Sequence, residues 1–207
     1  MTTVVLATHN HKKLAELRRI ADAAGTGLTV VGLDEVGTYP EPAETEPTFE
    51  GNALIKARAA AAATGMAALA DDSGLEVDAL NQMPGVRTAR WAGPTASDEE
   101  NRRLVLAQVD DVPDPQRTAR FVCAVALVLP DGTEDVLRET MEGRLAHAEF
   151  GSNGFGYDPI FIADGNQITN ANLSPEQKDA ISHRGKAVRA MVARIAELNA
   201  ASNEREQ

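Results

Sequence analysis

One cysteine, Cys123, serves all 207 residues, which excludes an internal disulfide and fits a reducing compartment. No apolar run nears the roughly 20 residues that a bilayer-spanning helix requires. The opening MTTVVLATHNHKK lacks a basic region followed by a long apolar stretch, so no secretory signal is expected. Positive charge is scarce: 20 Lys and Arg stand against 31 Asp and Glu, a net charge of -11. A surface of that sign offers no basic stripe to polymeric nucleic acid, although a few local cations suffice for a small anion. Aromatics make up only 4% of the chain, so any cluster of them is informative. The Walker pattern GxxxxGK[ST] is missing.

What is present describes an ordinary globular chain, 43% hydrophobic and 25% charged. Val4 to Ala7 reads as a strand, followed by a helix with Leu14, Leu17, Ala21 and Ala24 on one face that ends at Gly25. A second strand spans Leu28 to Val31, and a loop with three prolines and a run of glutamates fills Gly32 to Pro47. Thr48 is a natural N-cap for an alanine-rich helix that stops at Gly65. SDEE at Ser97 to Glu100 is a capping box ahead of a helix through Leu106. Arg120 to Leu129 is the strongest strand, and a PDG turn joins it to EDVLRET as an antiparallel hairpin. Ser174 and Pro175 open a late helix, and Val188, Met191, Ile195 and Leu198 mark the last one. Strand–helix units with a hairpin predict an α/β fold, a mixed β-sheet flanked by helices. One domain over 1–199 is expected, with 200–207 a frayed tail.

Five short stretches could carry chemistry. THNHKK places Thr8, His9, Asn10, His11, Lys12 and Lys13 between a strand and a helix, where unpaired backbone N–H groups and the helix dipole favour phosphate; an N-cap at Asn10 with two surface lysines is the plainer alternative. LADDSG brings Asp71 and Asp72 to the end of an apolar run. Such a pair serves a divalent cation or takes a proton from water, and it equally forms an Asx turn closed by Ser73 and Gly74. Glu41, Glu44, Glu46 or Glu50 could partner it. Asn52 and Lys56 share a helix face at i and i+4 and could reach a phosphate, or be solvated decoration. GSNGFGYDPIF sets Phe155 and Tyr157 among glycines, which suits either stacking of a base or a packed turn. SHRGK breaks a helix at Gly185 and could aim His183 and Arg184 into a pocket, or form a helix–helix turn. Together these pieces describe a nucleotide site.

The elements ATHNHKKLAEL, TFEGNALIKA, ALADDSGLEVDAL, PGVRTARWAG, GFGYDPIF and SHRGKA, in this order over residues 4 to 188, resemble the HAM1/RdgB-like non-canonical purine nucleoside triphosphate pyrophosphatases, also called inosine triphosphate or XTP/dITP pyrophosphatases. The resemblance implies two lobes with the nucleotide cleft between them. It further implies a cytoplasmic homodimer that uses Mg²⁺ to hydrolyse ITP, dITP and XTP to monophosphate and pyrophosphate. Carried over by position, it gives Thr8 to Lys13 and Lys56 to the phosphates. Asp72 becomes the general base and, with Glu44, a metal ligand. Ser73, Phe155, Gly156, Tyr157, Asp158, Lys178, His183 and Arg184 become substrate contacts, and Arg90 falls in a motif whose cation the resemblance turns toward the substrate. Two positions depart from the family pattern. His9 stands where many relatives have the glycine of TGN, and Gly51 stands where an acidic residue often precedes Asn52, making the adjacent Glu50 the candidate replacement. A Maf-like pyrophosphatase for other modified nucleotides and a non-catalytic nucleotide-binding protein are the alternatives. An aspartyl phosphatase would want DxDx[TV], which DDSG does not supply.

Overall fold

In a computed structural model of the chain, residues 3–37 and 39–205 are described, apart from the side chains of 12, 199 and 201–205. Local signals set most elements. Strand β1 (Thr3–Leu6) leads into helix α1 (His11–Ala24), strand β2 (Thr29–Gly32) and the single turn α2 (Leu33–Val36). Helix α3 (Phe49–Thr64) starts where Thr48 Oγ1 accepts from Gly51 N and stops at Gly65, whose φ of 67° needs no Cβ. Three alanines on its inner face, Ala53, Ala57 and Ala60, are fully buried and let the backbone approach the sheet. Strand β3 (Ala67–Val77) is followed by β4 (Met83–Pro84), helix α4 (Asp98–Gln108), and the long strands β5 (Thr118–Val128) and β6 (Glu134–Leu145). Strand β7 (Phe161–Ala163) and helices α5 (Pro175–Ile181) and α6 (His183–Arg205) complete the chain. Ser97 closes the expected capping box on α4, and Ser174, expected only to open α5 with Pro175, closes one there too.

The strands form one mixed sheet in the order β2-β1-β3-β5-β6-β7, with β4 on β3. β1 runs parallel to β2 and β3, pairing Val4 with Val30 and with Ala67. β4 and β7 are antiparallel to β3 and β6. The expected α/β class, a mixed sheet flanked by helices, is the class found.

One expectation is corrected. The acidic pair does not end its strand, and Ser73 and Gly74 do not turn the chain. β3 runs on through them to Val77, where Glu76 pairs with Pro84 of β4. Pairing on the sheet overrides the turn preference of Asp, Ser and Gly.

The chain divides into two compact units, 1–72 with 124–138 and 185–207, and 73–123 with 139–184. The first buries Val4, Val5 and Leu6 of β1 with the α3 alanines. The second is built on Leu75, Val77, Val105, Phe121, Leu145, Tyr157, Ile160 and Phe161. No helix among the described residues is long and apolar enough to cross a membrane.

Candidate functional site

Successive side chains on a strand leave opposite faces of the sheet, so the two neighbouring carboxylates of β3 meet different helices. Asp71 Oδ2 lies 2.8 Å from Lys13 Nζ of α1. Asp72 Oδ1 lies 3.0 Å from Lys56 Nζ of α3, and that same ammonium is 3.1 Å from Glu44 Oε1. Asn52, one helical turn before Lys56, is fully buried. Its Nδ2 reaches Asp72 Oδ2 at 3.4 Å, while its Oδ1 accepts from the backbone N of Glu46 at 3.0 Å. Asn52 thereby ties the acidic, proline-bearing loop to the strand. Both members of the i, i+4 pair are buried groups of this cluster rather than solvated decoration.

The charges do not balance evenly. Burial, together with the like charge of Glu44, pushes the Asp72 carboxyl above the usual carboxylate range, although Lys56 and Lys13 pull it down. Burial alone would lower Lys56, but Asp72, Asp71 and Glu44 outweigh it and raise the ammonium. The two shifts agree once the stoichiometry is seen: one lysine serves two carboxylates directly, so it is held charged while Asp72 is only partly compensated. A buried carboxyl lifted toward neutrality is suited to taking a proton.

The donor set is also a test for a divalent cation. Among the described residues no three His, Cys, Asp or Glu side chains gather as a metal cage. Glu44 and Asp72 nevertheless converge on one cation, and Mg²⁺ asks for no more than one or two carboxylates when water and phosphate oxygens supply the rest. The residues fit. Glu50, the candidate replacement for an acid at 51, pairs with Arg138 at 3.3 Å. A side chain at Gly51 would not fit without a shift, because a Cβ there would stand 2.6 Å from Glu46 Cβ.

The strand-to-helix loop is organised locally. Asn10 Oδ1 faces the Lys13 N–H at 3.4 Å and Asn10 N donates to Thr8 Oγ1, which is the N-cap arrangement. His9 is exposed, and His11 Nε2 stands 4.0 Å from Asp34 at the surface. The Lys12 side chain lies outside those described. From this loop Lys13 reaches the carboxylate pair, at Asp71.

The second unit gathers the other expected residues around Phe155. Asp158 Oδ2 accepts from Phe155 N at 3.0 Å and from Lys178 Nζ at 2.5 Å. Lys178 Nζ and Arg184 Cζ stand 4.9 Å and 5.7 Å from the Phe155 ring centroid. Phe155 is 41% exposed, with two cations over its ring. Arg184 Nη2 also donates to Ser73 Oγ at 3.4 Å. Gly154 makes the tight approach possible, since a Cβ on it would lie 2.2 Å from Asp158 Oδ2. His183 is buried and stacks on Phe121 at 5.0 Å with the planes 9° apart.

Tyr157 is a correction to the expectation of two stacking aromatics. Its ring belongs to the apolar core, its hydroxyl donates to Thr88 O at 2.8 Å, and burial pushes its ionisation up. A ring so enclosed has no face to offer, which leaves Phe155 as the exposed aromatic of this loop. The sequence reading also missed contacts made by α4, whose capping box had a sufficient structural explanation. Asn101 accepts from Ala92 N and donates to Ala89 O, bracing the segment that carries Thr88 and Arg90.

A mixed α/β sheet with a lysine-bridged carboxylate pair, and with a cation-flanked aromatic on a glycine loop, is the architecture of a nucleotide-handling enzyme. The model of the Ham1 family matches residues 4–194. The chain is 59% identical over 194 residues to the dITP/XTP pyrophosphatase of Cutibacterium acnes, covering 93% of this chain and 95% of that one. It is 55% identical to the dITP/XTP pyrophosphatase of Nocardia farcinica over 96% and 97% of the two chains. Among solved structures, a HAM1 protein from Coxiella burnetii superposes with a TM-score of 0.88 at 41% identity, covering 95% of this chain and 100% of that one. The nucleoside-triphosphatase / dITP/XTP pyrophosphatase of Mycobacterium abscessus gives 0.77 at 50% identity, over 92% and 98%. The chain belongs to the Ham1 family.

Proposed function

We infer that the chain hydrolyses the non-canonical purine nucleoside triphosphates dITP, XTP and ITP to the monophosphate and pyrophosphate, and so clears them from the nucleotide pool. The relatives that bear the name dITP/XTP pyrophosphatase match nearly its whole length. The buried Asp72 carboxyl, raised by burial and by Glu44, carries the chemical half of the reading. In the reaction a water oxygen bonds to phosphorus, the α–β phosphoanhydride breaks, and pyrophosphate leaves. Asp72 takes the water's proton. Lys13 and Lys56 meet the phosphate oxygens as point charges. Glu44 and Asp72 would hold Mg²⁺, which when bound offsets phosphate charge and orients the polyphosphate.

Selectivity follows from donors. Hypoxanthine and xanthine present a carbonyl at the purine 6-position, where adenine presents an amino group. Arg184 and His183 donate to a carbonyl and are left opposed by an amino group, and buried donors without an acceptor discriminate by powers of ten. Phe155 stacks the base and Lys178, anchored by Asp158, flanks it. A homodimer at work in the cytoplasm completes the reading, and light scattering of the purified chain tests the dimer.

The deciding assay is pyrophosphate release from ITP, XTP and ATP, with Mg²⁺ and with EDTA, on wild type, Asp72→Asn and Arg184→Ala. Fast Mg²⁺-dependent release from ITP and XTP, slow release from ATP and near-zero rates for Asp72→Asn are expected. Arg184→Ala narrows the gap between ITP and ATP. Orthophosphate in place of pyrophosphate would make the chain a phosphatase. No turnover of any purine triphosphate would return the choice to a Maf-like enzyme or a binding protein.

A further inference from the structure

We propose that Asp98 and Arg102 of α4 are positioning residues for the base platform, a two-sided clamp on Gly156 that fixes where the Phe155 ring can stand. The proposal rests on the reading of Phe155 as the surface on which the purine stacks. The two side chains lie at i and i+4, on one face of α4. Asp98 Oδ2 accepts from Gly156 N at 2.7 Å, and Arg102 Nη1 donates to Gly156 O at 2.8 Å. Arg102 is itself held, its Nε donating to Glu149 Oε2 at 2.9 Å, with its side chain only 14% exposed. Asp158 holds both Phe155 backbone groups, its Oδ2 accepting from Phe155 N and its N donating to Phe155 O at 3.2 Å, so with the clamp all four backbone polar groups of Phe155 and Gly156 are tied down.

The loop needs such ties. Gly154 and Gly156 both take positive φ, 77° and 58°, and glycines on either side leave the residue between them free to swing. The Phe155 ring is 41% exposed, so its own packing does not set its direction. Its distances to Lys178 and Arg184 therefore depend on where the backbone is pinned. An acidic residue in a helix's first turn and an Arg–Glu pair are ordinary surface features. Here both converge on the N–H and C=O of one residue, next to the ring, and helix stability requires no such convergence.

Asp98→Ala, Arg102→Ala and their double variant test the clamp. Asp98→Asn and Arg102→Lys serve as conservative partners, and Glu99→Ala, whose carboxylate pairs with Arg103 at the surface, is the control. Amide hydrogen exchange over 154–157 is read without nucleotide. Inosine, which has the base and no phosphate, and inorganic triphosphate, which has phosphate and no base, are titrated separately. Steady-state constants are measured on dITP.

The alanine variants should exchange faster at Gly156. They should raise KM for dITP about tenfold, with kcat within about twofold. Inosine binding should weaken in proportion and inorganic triphosphate binding should not change. Asp98→Asn, which keeps an acceptor, and Arg102→Lys, which keeps a donor, should recover most of the loss. Unchanged exchange, or inosine and inorganic triphosphate weakened together, would overturn the proposal, the latter because the damage would then be general. A wild-type chain that neither turns over dITP nor binds inosine would overturn the proposed function instead. That result is separable, because exchange is read with no nucleotide present.

Discussion

Lys56→Met removes the ammonium shared by Asp72 and Glu44 while keeping the buried stem. Deleting one partner of a buried ion pair costs about 3–5 kcal/mol, because the other charge stays behind. Two features of this cluster reduce the figure. The Glu44 side chain is 28% exposed, so water screens its share, and Asp72 can relieve the imbalance by taking up a proton. A loss of about 2–4 kcal/mol near neutral pH is expected. The sign of its pH dependence follows from the site. Asp72 already titrates above its ordinary range, and without Lys56 it rises further. A carboxyl with a raised folded pKa adds stability below its unfolded pKa and loses it as pH rises through the folded one. The variant's deficit against wild type must therefore shrink on going from neutral pH to about pH 5. Urea unfolding followed by far-ultraviolet circular dichroism at the two pH values measures it. Mg²⁺ at about ten times its Kd should return about 1.4 kcal/mol to the variant if Glu44 and Asp72 hold the ion. A variant within about 0.5 kcal/mol of wild type at neutral pH, or a deficit as large at pH 5, would refute the account of Lys56 as the cation that holds these carboxylates together.

Arg117 is 2% exposed and donates to the carbonyls of Leu145, Val109 and Ala146; Arg117→Met leaves those acceptors buried without donors, and a drop in the thermal midpoint on the order of 10 °C is expected by calorimetry. Thr118 and Arg120 hold the Asp78 carboxyl below its usual range, so its stabilisation is present above the unfolded pKa and lost as pH falls through the folded one. Asp78→Asn should accordingly flatten part of the stability loss seen below about pH 4 in acid titrations of unfolding. Gly154→Ala drives a Cβ against Asp158 at a φ of 77°, and should raise KM for dITP about tenfold or more by moving Phe155 and Lys178, with far-ultraviolet dichroism unchanged.

Elements with local chemistry were legible in the sequence. Thr48 and Gly65 bound α3, the Ser97 box opens α4, and Ser174 with Pro175 opens α5, because capping is decided within four residues. The course of β3 was not legible. Asp, Ser and Gly prefer turns, and only pairing with distant segments keeps them extended. Ordered motifs named most residues of both clusters, but not how each is used. Tyr157 carries the same sequence signal as Phe155, and only packing puts one ring in the core and leaves the other exposed. Glu50 lies as near Asn52 in sequence as any replacement for an acid at Gly51 could, yet its position on the helix sends it to Arg138. Asp98 and Arg102 had complete local explanations, so no sequence signal pointed to Gly156.

The adjacency of Asp71 and Asp72 would mean something different at a turn. Two carboxylates crowded at a chain reversal repel each other, and they would share a proton or a single cation. The strand separates them, because alternation sends each to its own face and its own lysine. Asp71 meets Lys13 from α1. Asp72 meets Lys56 from α3, which Glu44 also claims, and burial lifts its carboxyl. The two carboxylates therefore sit in different surroundings. On the proposed reaction Asp72 is the proton acceptor, and Asn52 holds the glutamate loop against the same carboxyl. By this argument Asp71→Asn releases Lys13 and should act mainly on polyphosphate affinity, whereas Asp72→Asn acts on the rate of bond cleavage. Steady-state constants for the two variants separate the roles, and equal losses of kcat in both would show that the pair acts as one group.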